Sequence, residues 1–216
     1  MNIESARHQM VEQQIRTWDV FDPSLLSAFD GIPRDRFVPQ QCTEVAYADT
    51  EIPLPHGQCM LRPNIIGRML QAVKITPADR VLEVGTGTGY VTACLAQLAN
   101  SVTSIDIYPE FVDAAAERLE DLGVDNVSLE CMDAVSELPD GKFDAIVVSA
   151  SSPELDLRFM EALHPGGRLF IVVGQAPAMR ALLITRHDDG SMETEELFET
   201  NIPPLVATER RAEFSF

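Results

Sequence analysis

A chain of 216 residues, 45% of them apolar but with no run near the roughly 18–20 needed to cross a bilayer, has material for one α/β domain, little room for a second, and no resemblance to a fibrous or disordered chain. Its 34 acidic residues against 16 basic ones leave a formal charge of −18, a field that repels phosphate backbones and argues against a nucleic-acid partner. Four cysteines, Cys42, Cys59, Cys94 and Cys131, show neither paired C-x-x-C spacing nor clustered histidines, so reduced thiols and no metal are expected.

The first nine residues lack the basic-then-apolar layout of a secretory signal, which makes a soluble cytoplasmic protein without a membrane partner the default expectation. Residues 4–18 form an amphipathic stretch on which Trp18, the single tryptophan, is expected to pack. Asp22-Pro23 reads as the N-cap and first residue of a short helix reaching Phe29. Arg34-Asp35-Arg36 looks like a charged surface or helix-end cluster. Pro33, Pro39, Pro53 and Pro55 punctuate an irregular stretch holding one histidine, His56, which by itself is unremarkable. A helix begins near Pro63 and runs to about Val73. Residues 1–76 thus read as a cap of helices and loops.

From 77 to 175, short apolar runs alternate with helical patterns. Val81-Leu82-Glu83-Val84 is a strand ending in glycines, followed by a helix over about 90–98. The next strand is Ser101-Val102-Thr103-Ser104-Ile105-Asp106. Pro109 then opens a helix over 111–122 that Gly123 stops in the left-handed region. Val127-Ser128-Leu129 is a third strand. Phe143-Asp144-Ala145-Ile146-Val147-Val148 is a fourth, hardly alternating and therefore buried on both faces. A helix over 153–163 ends at Pro165-Gly166-Gly167, and 168–173 is the fifth strand. In the last region, 176–216, Leu182-Leu183-Ile184-Thr185 and Glu195-Glu196-Leu197-Phe198 flank the turn Asp188-Asp189-Gly190 as a hairpin. Strands separated by helices imply right-handed crossovers. The expected fold is α/β: a Rossmann-like, doubly wound, mostly parallel sheet with an N-terminal helical extension and a C-terminal antiparallel addition, in one domain.

The strongest chemical signal is the strand-to-turn motif ending Gly85-Thr86-Gly87-Thr88-Gly89, because a glycine turn at a helix start brings bare N–H groups close to a ligand. A dinucleotide site wants glycines at the first, third and sixth positions, and the sixth here is Tyr90. No Lys-Ser/Thr pair follows, which excludes a phosphate-binding loop. The glycines fall at the first, third and fifth positions with Glu83 two residues upstream, an arrangement that resembles the S-adenosylmethionine turn, built for an amino-acid tail. Asp106 closes the second strand, followed by Ile107, where its two oxygens can accept both ribose hydroxyls. Its alternative role is to cap the helix at Pro109. Asp133, followed by Ala134, is placed to take an adenine amino group, or else serves as a loop or N-cap residue. All three sites lie at C-terminal ends of adjacent strands, where open α/β sheets bind ligands. Asp144 starts its strand on the other side of the sheet and reads as structural, while His8, His164 and His187 read as solvated.

In order along the chain, Ile32-Pro33-Arg34-Asp35-Arg36-Phe37-Val38, Ala46-Tyr47-Ala48-Asp49, Ile52-Pro53-Leu54, Gly57-Gln58, the glycine motif, Phe143 to Ala150, Gly166-Gly167-Arg168-Leu169 and Ile202-Pro203-Pro204-Leu205 resemble the protein-L-isoaspartate O-methyltransferases, class I S-adenosylmethionine-dependent enzymes, over about residues 7–205. That resemblance implies S-adenosylmethionine as cofactor, bound by Glu83, Gly85, Thr86, Gly87, Gly89, Asp106, Ile107, Asp133 and Ala134, and methylation of an L-isoaspartyl carboxylate in aged protein. The family loop reads Gly-Gln-Thr-Ile-Ser-x-Pro, and here it is Gly57-Gln58-Cys59-Met60-Leu61-Arg62-Pro63. The candidate catalytic positions are therefore Gln58, Cys59, Leu61 and Arg62, with both family hydroxyls replaced and the family's earlier glycine at Pro55. Arg62 is either a replacement cation for a carboxylate or a solvated arginine. The acceptor is an isoaspartyl protein or peptide, or in a divergent member another small or protein substrate; a non-catalytic cofactor-binding protein is the alternative from a different class.

Overall fold

The computed structural model describes residues 3–206. Helix α1 (Ile3–Gln9) continues through a wider π-wound segment, Met10–Ile15, and a tight 3-10 turn, Arg16–Trp18, which Asp19 ends at φ 62°. Met10, Val11 and Ile15 reach the core, but the change of winding shifts the apolar register and turns Trp18 outward at 45% exposed, so its expected packing role is not realised. Helix α2 (Pro23–Gly31) begins where its cap says it should: the Asp22 carboxylate accepts from the Ser24 and Leu25 amides, and Pro23 gives up an N–H that would have had no partner.

Strands β1 (Ile52–Pro53) and β2 (Cys59–Met60) form a miniature antiparallel hairpin in what the sequence suggests is a loop. Helix α3 (Pro63–Val73) follows at once. The main sheet then assembles from β3 (Arg80–Val84), α4 (Tyr90–Leu98), β4 (Ser101–Asp106), α5 (Pro109–Asp121), β5 (Val127–Cys131), β6 (Phe143–Ser152), α6 (Leu157–Glu161), β7 (Leu163–Gln175), β8 (Ala178–Arg186) and β9 (Met192–Thr200).

Strand order is β5-β4-β3-β6-β7-β8-β9, parallel through β7 and antiparallel for β8 and β9. This is the Rossmann-like sheet with an antiparallel C-terminal addition that the sequence implied. The chain moves from β3 outward to β4 and later returns to the other side of β3 as β6, so a crevice opens at the C-terminal ends of β3 and β6. Pleating separates two apolar cores. Val81, Ala145, Val147, Phe170 and Val172 face the core shared with the N-terminal helices, while Leu82, Val84, Ile146, Val148, Leu169 and Ile171 face the core closed by Phe159 of α6. At the opposite end Asp144 accepts from the Arg80 amide at 2.8 Å, a structural contact far from the crevice.

The helix expected over 153–163 is much shorter. Strand β6 runs on to Ser152 because Ser151 is tied to the chain's end: its amide donates to Pro203 O, its hydroxyl to Ile202 O, and its carbonyl accepts from Leu205 N. Asp156 then caps only α6. Pro165-Gly166-Gly167, expected to end a helix, lies inside β7 as a bulge, where register jumps from Phe143↔Leu163 to Ala145↔Arg168. The hairpin of β8 and β9 is longer than its apolar runs suggest and turns at the expected Asp188-Asp189-Gly190. Of the expected C-terminal region, 207–216 lies outside the described residues. No helix among the described residues is long and apolar enough to cross a membrane, and no three His, Cys, Asp or Glu side chains gather there as metal ligands.

Candidate active site

The crevice between the ends of β3 and β6 is a cavity walled on one side by the β3–α4 turn and the ends of β4 and β5, and on the other by the β1–β2 hairpin. Gly85, Thr86, Gly87, Asp106, Ile107, Asp133 and Ala134 all line it, as do Gln58, Cys59 and Leu61 from the hairpin side. Residues far apart in sequence are thus brought to one site.

Four of the turn's five amides are engaged within the protein and are not bare. Gly85 and Thr86 donate to Ile105 O at 2.8 and 3.2 Å, Gly89 donates to Thr86 O at 2.9 Å, and Gly87 donates to Asp106 Oδ2 at 2.8 Å. What the turn supplies is room. Gly85 and Gly87 sit at φ 96° and 52°, where a side chain would be strained, and both face the cavity. Gly89 works differently: a Cβ there would come within 2.9 Å of the Ala115 Cβ, so this glycine lets α4 pack on α5 and does not line the cavity.

Asp106 is 8% exposed. Its second oxygen accepts from the Tyr108 amide at 3.0 Å, while the N-cap of α5 is Tyr108 and receives no side-chain cap, so Asp106 ties the turn to β4 and does not cap a helix. Burial pushes its carboxyl above the usual range, and the amides of Gly87, Tyr108 and Ile107 pull it back. Each oxygen retains acceptor capacity toward a ligand. Asp133 accepts from the Val135 amide at 2.9 Å and the Ser136 hydroxyl at 2.7 Å, so it organises its own loop and also borders the cavity.

Glu83 lies beneath the turn, fully buried and out of the cavity. One of its oxygens accepts from Thr92 Oγ1 at 2.5 Å and Ser104 Oγ at 2.6 Å, and the other has no partner among the described residues. Burial pushes its carboxyl up to about 8, against the two hydroxyls, which lower it. The folded protein therefore keeps a proton that the unfolded chain releases above about 4.5, and the stability this contributes is lost as pH climbs from there through 8. Glu83→Gln removes that slope: thermal unfolding between those pH values should show the variant gaining on the wild type as pH rises. Parallel curves would show Glu83 ionised throughout.

On the hairpin side, burial pushes the Cys59 thiol up to about 11, so it stays protonated near neutrality and forms wall, not nucleophile. Leu61 is 5% exposed. Arg62 is not part of the lining: it points outward with its Nε 3.7 Å from Glu51 Oε1, a surface pair of small energetic weight.

Sequence reasoning missed three features. Arg34, read as part of a charged surface or helix-end cluster, is in a short 3-10 turn but fully buried: its Nε donates to Ala46 O at 2.9 Å, its Nη2 to Leu61 O at 2.8 Å, and its guanidinium lies 4.9 Å from the Tyr90 ring centre. Its neighbour Asp35 accepts from the Tyr47 hydroxyl. Ser149, within β6 just past the level where β3 ends, borders the cavity across from Gly85 with a buried hydroxyl that has no partner among the described residues. His56 stacks on Tyr108 and pairs with Glu110. Only the tolerance of His for left-handed backbone, beside Gly57, hinted at a special role.

A cleft with two acids at adjacent strand ends, a Cβ-free turn and an orphaned hydroxyl fits a nucleoside carrying an amino-acid tail: acceptors stand for hydroxyl and amino donors, and among the described residues no lysine or arginine lines it for a pyrophosphate. The family model of Protein-L-isoaspartate(D-aspartate) O-methyltransferase matches residues 5–210. The protein-L-isoaspartate O-methyltransferase of Brucella anthropi is 37% identical over 207 residues, covering 95% of both chains, and that of Koribacter versatilis is 38% identical over 204 residues, covering 94% of this chain and 91% of its own. Among solved structures, a Plasmodium falciparum chain named for the same family and crystallised with S-adenosyl-L-homocysteine superposes with a TM-score of 0.79 at 20% identity, covering 92% of this chain and 97% of its own. The chain belongs to the protein-L-isoaspartate(D-aspartate) O-methyltransferase family of S-adenosylmethionine-dependent methyltransferases.

Proposed function

We propose that the cavity holds S-adenosylmethionine, with Asp106 accepting from the ribose hydroxyls, Asp133 facing the adenine amino group, and Gly85, Gly87 and Ser149 surrounding the amino-acid tail, and that the methyl acceptor is an L-isoaspartyl carboxylate entering past Gln58 and Leu61. The observation that carries this reading is the meeting of the glycine turn and both strand-end acids with the β1–β2 hairpin in one cavity. The cofactor supplies a methyl group on a sulfonium sulfur, open to in-line attack. A carboxylate with a pKa near 4 is already ionised at neutral pH, so the chain needs no general base. Its own residues align and dehydrate the nucleophile: Met60 and Leu61 form an apolar wall, and the hairpin closes off water.

Without hydroxyls at Cys59 and Leu61, a bound carboxylate loses donors worth about 1.5–3 kcal/mol each. Leu61→Ser should therefore lower the KM for an isoaspartyl peptide by about tenfold, at some loss of thermal stability. Wild-type protein that binds S-adenosylhomocysteine in calorimetry yet transfers no methyl group to the peptide would reject the isoaspartyl acceptor. The apolar wall favours the second reading in that event, an acceptor other than an isoaspartyl residue.

A further inference from the structure

The β1–β2 hairpin is held across the cavity by its tip. Pro55, His56 and Gly57 make a tight turn closed by Gln58 N to Pro55 O at 3.1 Å and Leu54 N to Gln58 O at 2.8 Å. His56 sits at φ 59° and Gly57 at φ 69°, two successive left-handed residues, of which the histidine is strained. Such a conformation persists only when surroundings hold it, and here they are plain. The His56 ring lies parallel to Tyr108 with centroids 3.9 Å apart and planes 7° from each other. Phe111 closes the corner edge-on, 5.9 Å from His56 and 5.5 Å from Tyr108. His56 Nε2 meets the carboxylate of Glu110, which sits in the first turn of α5.

The two sides of this contact belong to opposite walls. Leu54 and Gln58 flank the tip and line the cavity from the hairpin; Tyr108 and Phe111 line it from the segment after Asp106. Leu54 Cδ1 also reaches over the turn, 3.9 Å from where a Gly87 Cβ would stand. The tip therefore bridges the rim at a place that a nucleoside between these walls must pass.

We propose that His56 is a positioning residue, the latch that holds the β1–β2 hairpin closed over the cofactor, so that S-adenosylhomocysteine leaves when the His56–Tyr108 stack and the Glu110 contact part. This rests on the cofactor assignment above. Once open, the hairpin carries Gln58 and Cys59 away together, so the latch also sets when the acceptor wall is complete.

Stopped-flow binding and displacement of S-adenosylhomocysteine, on wild type, His56→Asn and Glu110→Gln, tests it. Asparagine tolerates the left-handed backbone but removes the stack and the pair. Glutamine at the exposed position 110 leaves the fold intact and removes only the charge. Association and dissociation rate constants should rise together, by about tenfold for His56→Asn and about threefold for Glu110→Gln, with the Kd changing less than either rate. In the double variant the effect should be no larger than in His56→Asn alone, since one contact is lost twice. Faster dissociation with unchanged association would make His56 a piece of wall and overturn the latch, as would rates equal to wild type in both variants. Should wild type not bind S-adenosylhomocysteine in calorimetry, the cofactor assignment falls and the latch with it; binding with unaltered rates sinks the latch alone.

Discussion

Asp106→Ala should weaken S-adenosylhomocysteine binding by at least about a hundredfold in calorimetric titration. Two charge-assisted hydrogen bonds to ribose hydroxyls, at about 1.5–3 kcal/mol each, give this factor even at their low end. The side chain has a second duty that adds to the loss. Its oxygens accept the Gly87 and Tyr108 amides, so alanine leaves both without their partner and frees the turn from β4. Asp106→Asn, which keeps the shape but turns an amide donor toward one of those N–H groups, should fall between the two. A Kd within about fivefold of wild type in the alanine variant would place the ribose elsewhere.

Arg34→Met comes second in expected size and acts on a different wall. The guanidinium is buried and its charge is met by two carbonyls and a ring face, with burial lowering its pKa from the ordinary value. Methionine matches much of its length but leaves Ala46 O and Leu61 O without donors, at about 1–3 kcal/mol each. For a chain of this size that lowers the melting temperature by on the order of 10 °C. Because Leu61 O anchors the end of the β1–β2 hairpin, kcat/KM for the peptide should fall further than S-adenosylhomocysteine affinity does. Arg34→Lys should not restore either, since one ammonium cannot span both carbonyls in the geometry of the planar fork. Melting and peptide kinetics that match wild type in the methionine variant would show that the hairpin holds itself.

Both variants probe contacts of different legibility. Asp106 was readable because its position is fixed locally: it ends an apolar strand that follows a glycine-stopped strand, and parallel register puts the two ends side by side, Val84 beside Ile105. The cap at Asp22, the start of α3 at Pro63, the α4 and α5 boundaries and the turn at Asp188-Asp189-Gly190 are readable for the same reason, each being set by residues within one turn of it. Arg34 was misread because a local pattern of three charged residues says nothing of a pocket made by Ala46, Leu61 and Tyr90. The helix over 153–163 is shortened for a similar reason: Ser151, bound to Pro203 and Leu205, carries β6 on to Ser152, and only Leu157–Glu161, capped by Asp156, is helical.

By itself the sequence determined the order and type of the main elements, the double burial of the central strands and the glycine turn with two acids beyond it, since period, capping and backbone permissiveness act over a few residues. Tertiary structure alone decided which of those groups face the cavity: it put Glu83 under the turn, set Gly89 against Ala115, engaged four of the turn's five amides internally and sent Arg62 outward. It alone joined His56 to Glu110 and Arg34 to Leu61. The reason is physical. Burial and pairing depend on what the rest of the chain brings near, and no local pattern carries that information.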